Sequence, residues 1–195
     1  MKYSFYALIS RMKNIGRWAL MRNNYTENLQ EHSHMTAVIA HALAVISRDV
    51  FHRDADPGAA AAAALFHDAS EIFTGDLPTP IKYHNPELMA AYKQVESLAV
   101  KKLLGTLPEE LRPAYTQLLI DNTSETDKIV RAADRLSAYV KCLEELRTGN
   151  EEFRLAAEQT LAKLEALDMP EVRYFMEHFI PAFNLTLDEL DFSVD

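Results

Sequence analysis

Residues 59–73 read AAAAAALFHDASEIF. Asp56-Pro57 stands just upstream, an N-cap residue followed by the proline that suits a first helical position. The run behind it is apolar over a helical length, and Gly75 follows as a stop. The stretch therefore predicts a helix from Pro57 to about Phe73. His67-Asp68 falls deep in that apolar run. Burying so much polarity costs on the order of several kcal/mol unless the groups are ligated or hydrogen-bonded. Glu71 stands four residues after His67 and three after Asp68, so a continuous helix places all three on one face. One imidazole and two carboxylates make a donor set that suits a divalent transition metal.

The same grammar of cap, then Pro or Glu, then helical apolar period recurs along the chain. Residues 4–14 read as a first amphipathic helix, broken by Gly16 and followed by Arg17-Trp18. Asn28 with Glu31 predicts a capping box and a helix to about Ser47. Asp76-Leu-Pro-Thr-Pro80 reads as a stiff connection, because its two prolines fix φ and withhold two backbone donors. Asn85-Pro86 opens a helix ending at Gly105, and residues 108–120 a shorter one. Ser124 with Asp127 caps a long helix to Arg147, with Gly149 as its stop, and Asn150 or a neighbour caps the next, to about Leu167. Pro170 begins a helix with Tyr174, Phe175 and Phe179, and Thr186 with Glu189 caps a last short one. Glu144-Glu145 and Glu151-Glu152 read as solvated faces. Asn-Gly and Asp-Gly hairpin signals are missing from the sequence. The prediction is an all-α fold: one domain over residues 1–195, a bundle of seven to nine helices.

Composition bounds the function. The chain has 195 residues, 48% of them hydrophobic and 25% charged, ordinary globular values and a length for one domain of roughly 150 residues or more. A formal net charge of −9 repels phosphate polymers, so nucleic-acid binding is not expected. A small anionic substrate can still be held by local cations or a metal. No window reaches the ~18 apolar residues of a membrane span. The opening MKYSFYALISRMKN places Arg11 and Lys13 behind a short apolar run, a poor signal peptide. The single cysteine, Cys142, has no internal disulfide partner, as suits a reducing compartment or simply a protein without bridges.

Two more residues offer themselves to the His67-Asp68 pair. His32 lies near the start of the second predicted helix, in Glu31-His32-Ser33. Asp134 sits mid-helix in KIVRAADRLSAYV, flanked by Ala132, Ala133 and Leu136. An acid among such neighbours needs a partner more than one on a solvated face does. Three helices would then each supply ligands to one site, as in metal centres built inside bundles. Plainer readings stand beside this one: His67 bonded to its neighbour, Asp134 paired with Arg131 or Arg135, Trp18 a core aromatic.

An H…HD…D arrangement on helices resembles the HD-domain metal-dependent phosphohydrolases. The string His67-Asp-Ala-Ser-Glu71-Ile-Phe-Thr-Gly75-Asp76-Leu-Pro-Thr-Pro80-Ile-Lys82, with Arg17-Trp18 and Thr26-Glu-Asn28 upstream, is similar to their bacterial 5′-deoxynucleotidase branch. The similarity runs nearly the length of the chain, to Phe-x-Leu-Thr-Leu-Asp-Glu near its end. It implies that His32, His67, Asp68 and Asp134 hold one divalent ion, Co2+ or Mn2+ or another transition metal. It implies that Arg17 orients a 5′-phosphate and Trp18 contacts the nucleoside. Asp76 and Leu77-Pro78-Thr79 would hold the sugar, with His32, Asp68 and Asp134 also bordering the substrate. Glu71 would take part in proton transfer, as base or as acid. The implied substrate is a deoxyribonucleoside 5′-monophosphate, with broad base tolerance. The implied assembly is a homodimer, and the implied location cytoplasmic, with neither nucleic acid nor membrane as partner. Two other readings stay open on sequence: an HD-domain phosphodiesterase or nucleoside polyphosphate hydrolase, and a non-catalytic helical module with a structural ion.

Overall fold

Capping residues set the helix starts. The computed structural model describes residues 2–78, 85–120 and 124–190. Asn28 accepts from the amides of Gln30 and Glu31 at 3.0 and 3.1 Å while Glu31 accepts from the Asn28 amide at 3.1 Å. This reciprocal box satisfies donors that a helix start leaves orphaned. Asp56 Oδ1 accepts from the Ala59 amide at 3.0 Å, and Asn85 Oδ1 from Leu88 at 2.6 Å. The described α-helices are α1 (Phe5–Ile9), α2 (Leu29–Val45), α3 (Pro57–Phe66), α4 (Glu71–Thr74), α5 (Pro86–Leu104), α6 (Arg112–Leu119), α7 (Ser124–Arg147), α8 (Arg154–Glu165) and α9 (Pro170–His178). Short 3₁₀ segments and one π-helical stretch, Ile46–Val50, lie between or after them, the last at Leu187–Glu189 behind a second capping box on Thr186. The only β pairing among the described residues is one isolated bridge, Gly16 to Asn28. The fold is the all-α helical bundle expected. No described helix is long and apolar enough to cross a membrane.

The centre is α2 laid against α3 and α7. Ala37, Ala40 and Ala44 of α2 meet Ala60, Ala63 and Ala64 of α3 and Ala132 and Ala133 of α7 in one buried cluster, with Ile39, Leu43 and Leu136 filling it. Small side chains let three helix axes approach closely. A second cluster joins Phe5 of α1, Ala69, and Leu103, Leu104 and Leu107 at the end of α5.

Two expectations are corrected. The alanine-rich helix stops at Phe66 instead of running to Phe73. Over His67–Ser70 the amides turn to partners three residues back, Ala69 to Phe66 and Glu71 to Asp68, both at 3.0 Å, the tighter 3₁₀ winding. Ala69 is buried in the second cluster, so tertiary packing pulls the chain off the first helix axis there. Helix resumes as α4 and ends at Gly75, whose φ of +72° favours glycine. The second correction is Glu145, which is fully buried rather than on a solvated face. It pairs with the buried Lys141 one turn back and accepts from the amides of Asn24 and Tyr25 and from Asn150.

Candidate active site

The first turn of α2, the middle of α7 and the turn after α3 point their polar groups at one place. His32 is fully buried. Its Nε2 lies 3.0 Å from Asp134 Oδ1, across 102 residues of sequence, and 3.7 Å from Asp68 Oδ2. His67 Nε2 lies 3.1 Å from Asp68 Oδ2 and 3.9 Å from Asp134 Oδ1. His32, His67 and Asp68 each offer a ligand atom within 4.8 Å of the others. Asp134 joins that trio through the two imidazoles. Its side chain is 42% exposed, so the cluster is sealed on the His32 side and open on the Asp134 side. Arg131, a plainer partner for Asp134, bonds Asp127 instead at 2.5 Å.

Proton bookkeeping decides what the cluster lacks. His67 Nδ1 stands 2.7 Å from the Ala64 carbonyl. A carbonyl only accepts, so Nδ1 carries the hydrogen and the neutral ring keeps its lone pair on Nε2. That Nε2 is buried with no hydrogen-bond partner, yet faces a carboxylate oxygen. Two basic atoms this close call for a shared cation: a proton on Nε2, or a metal ion in its place. His32 is prepared alike: Nδ1 lies 3.2 Å from Ser137 Oγ, a hydroxyl able to accept, which frees Nε2 for ligation. Ligands ~2.1 Å from a common ion stand about 3.0 to 3.4 Å apart. The observed 3.0, 3.1, 3.7 and 3.9 Å fall around that spacing. Two imidazoles and two carboxylates therefore fit a divalent transition metal. The electrostatics agree. Burial lowers the His67 pKa, but Asp68 and then Asp134 more than reverse this and push it to about 9. Burial raises Asp68 and Asp134, but His67 and His32 bring both below the ordinary carboxylate range. A field that draws a proton to His67 also draws a cation.

Arg17 enters from the segment paired to Asn28 by the Gly16 bridge. Its Nη1 lies 3.5 Å from Asp68 Oδ2 and its Nε donates to Glu27 Oε2 at 3.1 Å. Burial lowers the Arg17 pKa, and the carboxylates of Asp68, Glu27, Asp134 and Asp76 outweigh it. Asp76 is thereby within electrostatic reach of the cluster. Trp18 holds the left-handed region at φ +58°. Its ring stands 5.2 Å from Phe153 and its Nε1 donates to Glu27 Oε2 at 3.0 Å. Glu71 is 3% exposed at the start of α4. Leu77 and Pro78 are half-buried. Thr79 and Lys82 lie outside the described residues.

A family profile described as 5′-deoxynucleotidase YfbR-like matches residues 4–183. This chain belongs to the YfbR-like 5′-deoxynucleotidase family. The 5′-deoxynucleotidase yfbR of Photorhabdus temperata is 49% identical over 192 residues, covering 97% of this chain and 98% of that one. Among solved structures, an HD-domain phosphohydrolase of Listeria innocua superposes with a TM-score of 0.81 at 26% identity, over 92% of this chain and 88% of that one. The HD phosphohydrolase of cyanophage S-2L, bound to dA and one catalytic Zn2+ ion, shares the fold at a TM-score of 0.63 and 21% identity, over 93% and 99% of the two chains. Within this YfbR-like chain, sequence reasoning missed Ser137 and the role of Glu27. Ser137 sits one helical turn after Asp134, a spacing that could have flagged it. Glu27 lies in a motif quoted for the resemblance, but its two bonds depend on the loop folding back.

Proposed function

We propose that this YfbR-like protein is a phosphoric monoester hydrolase that converts deoxyribonucleoside 5′-monophosphates to deoxyribonucleoside and phosphate. His32, His67, Asp68 and Asp134 would hold one divalent cation. The observation that carries this reading is the placement of His67 Nε2 against Asp68 Oδ2, 3.1 Å apart, with the Nδ1 hydrogen committed to Ala64 and Arg17 beside Asp68. A bound cation would neutralise phosphate charge and lower the pKa of water. Arg17 offers its planar fork to a phosphate oxygen and orients the leaving O5′ opposite the attacking water. Water adds to phosphorus as the P–O5′ bond breaks. Glu71 takes the water proton or supplies the one that O5′ needs. Asp76, with Leu77, Pro78 and Thr79, bonds the sugar from a stiff loop and disfavours a 2′-hydroxyl. Trp18 offers the nucleoside a face rather than a hydrogen-bonding edge, which supports broad base tolerance.

We infer Co2+ or Mn2+ as the ion from the family resemblance; the mixed imidazole and carboxylate donors fit a divalent transition metal. The zinc in the phage phosphohydrolase widens the field to a third. A homodimer follows from the family resemblance, and Val95 and Leu98, exposed on α5, are apolar surface a second copy could cover. The buried free thiol of Cys142 supports a cytoplasmic location. The test is metal analysis with a substrate panel on chelated and reloaded protein. Chelation should abolish hydrolysis of dAMP and dTMP, and reloading restore it. Turnover of AMP as fast as dAMP would defeat the sugar assignment. Faster cleavage of bis(p-nitrophenyl) phosphate than of dTMP would replace the monoester reading with a diesterase.

A further inference from the structure

One carboxylate oxygen serves two neighbours assigned to different parts of the substrate. Glu27 Oε2 accepts from Arg17 Nε at 3.1 Å and from Trp18 Nε1 at 3.0 Å. The Glu27 side chain is only 14% exposed. Its backbone is anchored as well: the Glu27 carbonyl accepts from the Arg17 amide at 2.9 Å, and the Leu29 amide donates to the Ile15 carbonyl at 3.0 Å. The next residue, Asn28, caps the helix that carries His32. With Nε committed to Glu27, the guanidinium has one edge fixed and its Nη groups turned toward Asp68 and the cluster. Released from Glu27, it would be drawn fully to Asp68, already 3.5 Å away.

We propose that Glu27 is a positioning residue that locks Arg17 and Trp18 in one geometry and so couples recognition of the phosphate to recognition of the nucleoside. The inference rests on the phosphate and nucleoside roles proposed above for those two residues. Glu27 itself touches neither product. The prediction is that a single change at residue 27 weakens both ends of recognition together.

Trp18 is the sole tryptophan, so intrinsic fluorescence of the metal-loaded protein reports its surroundings alone. Glu27→Gln removes the charge from the shared oxygen. It should change the emission maximum and weaken competitive inhibition by inorganic phosphate and by deoxyadenosine, each by about tenfold, as expected for loss of a charge-assisted bond. Bound metal per chain should stay at the wild-type level. Arg17→Ala should weaken phosphate inhibition and leave deoxyadenosine inhibition within about twofold. In the Arg17→Ala background, Glu27→Gln should add less than about twofold to the phosphate effect, because coupled residues are not additive. Glu27→Asp, which keeps the charge on a shorter arm, should recover part of both inhibition constants and guards against a folding artefact. The proposal falls if Glu27→Gln leaves both inhibition constants unchanged while Arg17→Ala loses phosphate binding. It falls also if the Glu27→Gln penalty on phosphate persists in full without Arg17. A fully active Arg17→Ala enzyme would overturn the phosphate reading itself, and this proposal with it.

Discussion

Helix α7 carries two constellations of buried charge seven residues apart, and they are built on opposite terms. Around Lys141 and Glu145 every need is met inside the chain. Lys141 donates to the Tyr25 carbonyl and to Glu145, and Glu145 also accepts from Asn24, Tyr25 and Asn150. Around Asp134 the count closes only with an added cation, because His67 gives its Nδ1 hydrogen to Ala64 and turns Nε2 toward carboxylate oxygens. Both sets join polar groups far apart in sequence, and His32 is as buried as Glu145, so burial does not separate structure from chemistry. The need for an added cation does. A satisfied network holds a fold together, whereas an unsatisfied one waits for a ligand.

That contrast can be broken experimentally. The largest effect is expected for Asp68→Asn, which should remove bound metal and lower turnover by about 10³-fold or more. Above about pH 9, where His67 loses its extra proton, the metal-free variant should be no less stable in urea than metal-free wild type, since the new amide can donate to Nε2; a large loss there would mean the cluster is as structural as its neighbour. Next, Glu71→Ala should keep metal and fold yet lose about 10²-fold or more in turnover of dAMP; full activity or lost metal would remove Glu71 from the reaction. Glu145→Ala should do the reverse. Bound metal should be unchanged while urea denaturation at pH 7 shows a loss of about 3–5 kcal/mol, the cost of leaving Lys141 buried without its partner. Ser137→Ala should weaken metal affinity by about tenfold, measured by competition with a chelator, through the loosened His32 ring.

The smallest effect is one of pH. Burial raises the Glu145 carboxyl, but Lys141, Asn150 and the amides of Asn24 and Tyr25 outweigh it and hold it down at about 2. A depressed folded pKa stabilises above the ordinary carboxylate range and fades as acid titrates the folded group. The stability gap between wild type and Glu145→Gln should therefore shrink as pH falls from about 4.5 toward 2. A gap independent of pH would mean Glu145 acts by packing alone.

Much of this was legible in local pattern. Asn28 and Glu31, Asp56 before Pro57, and Thr186 with Glu189 read as helix starts because capping is a matter of three or four adjacent residues. His67, Asp68 and Asp134 were legible because polar side chains stood among apolar neighbours, whereas His32, between Glu31 and Ser33, was legible through the H…HD…D resemblance. The break at His67 was not, since it arises from Ala69 being drawn into a cluster with Phe5 and Leu103. Glu145 was misread for a related reason: its partners Asn24 and Tyr25 lie some 120 residues away. Glu27 shows the limit most plainly. It lies in the Thr26-Glu-Asn28 motif, yet its partners were not legible there, because the bridge from Gly16 to Asn28 is what brings Arg17 and Trp18 within reach of one oxygen.

The atom that settles the tautomer of His67 belongs to the main chain. Residue 64 could change identity without withdrawing it, so long as the helix kept its path. The proposed metal-binding face of that imidazole is thus guarded by backbone geometry rather than by any replaceable side chain. An arriving ion meets a ring whose hydrogen already sits on the far nitrogen.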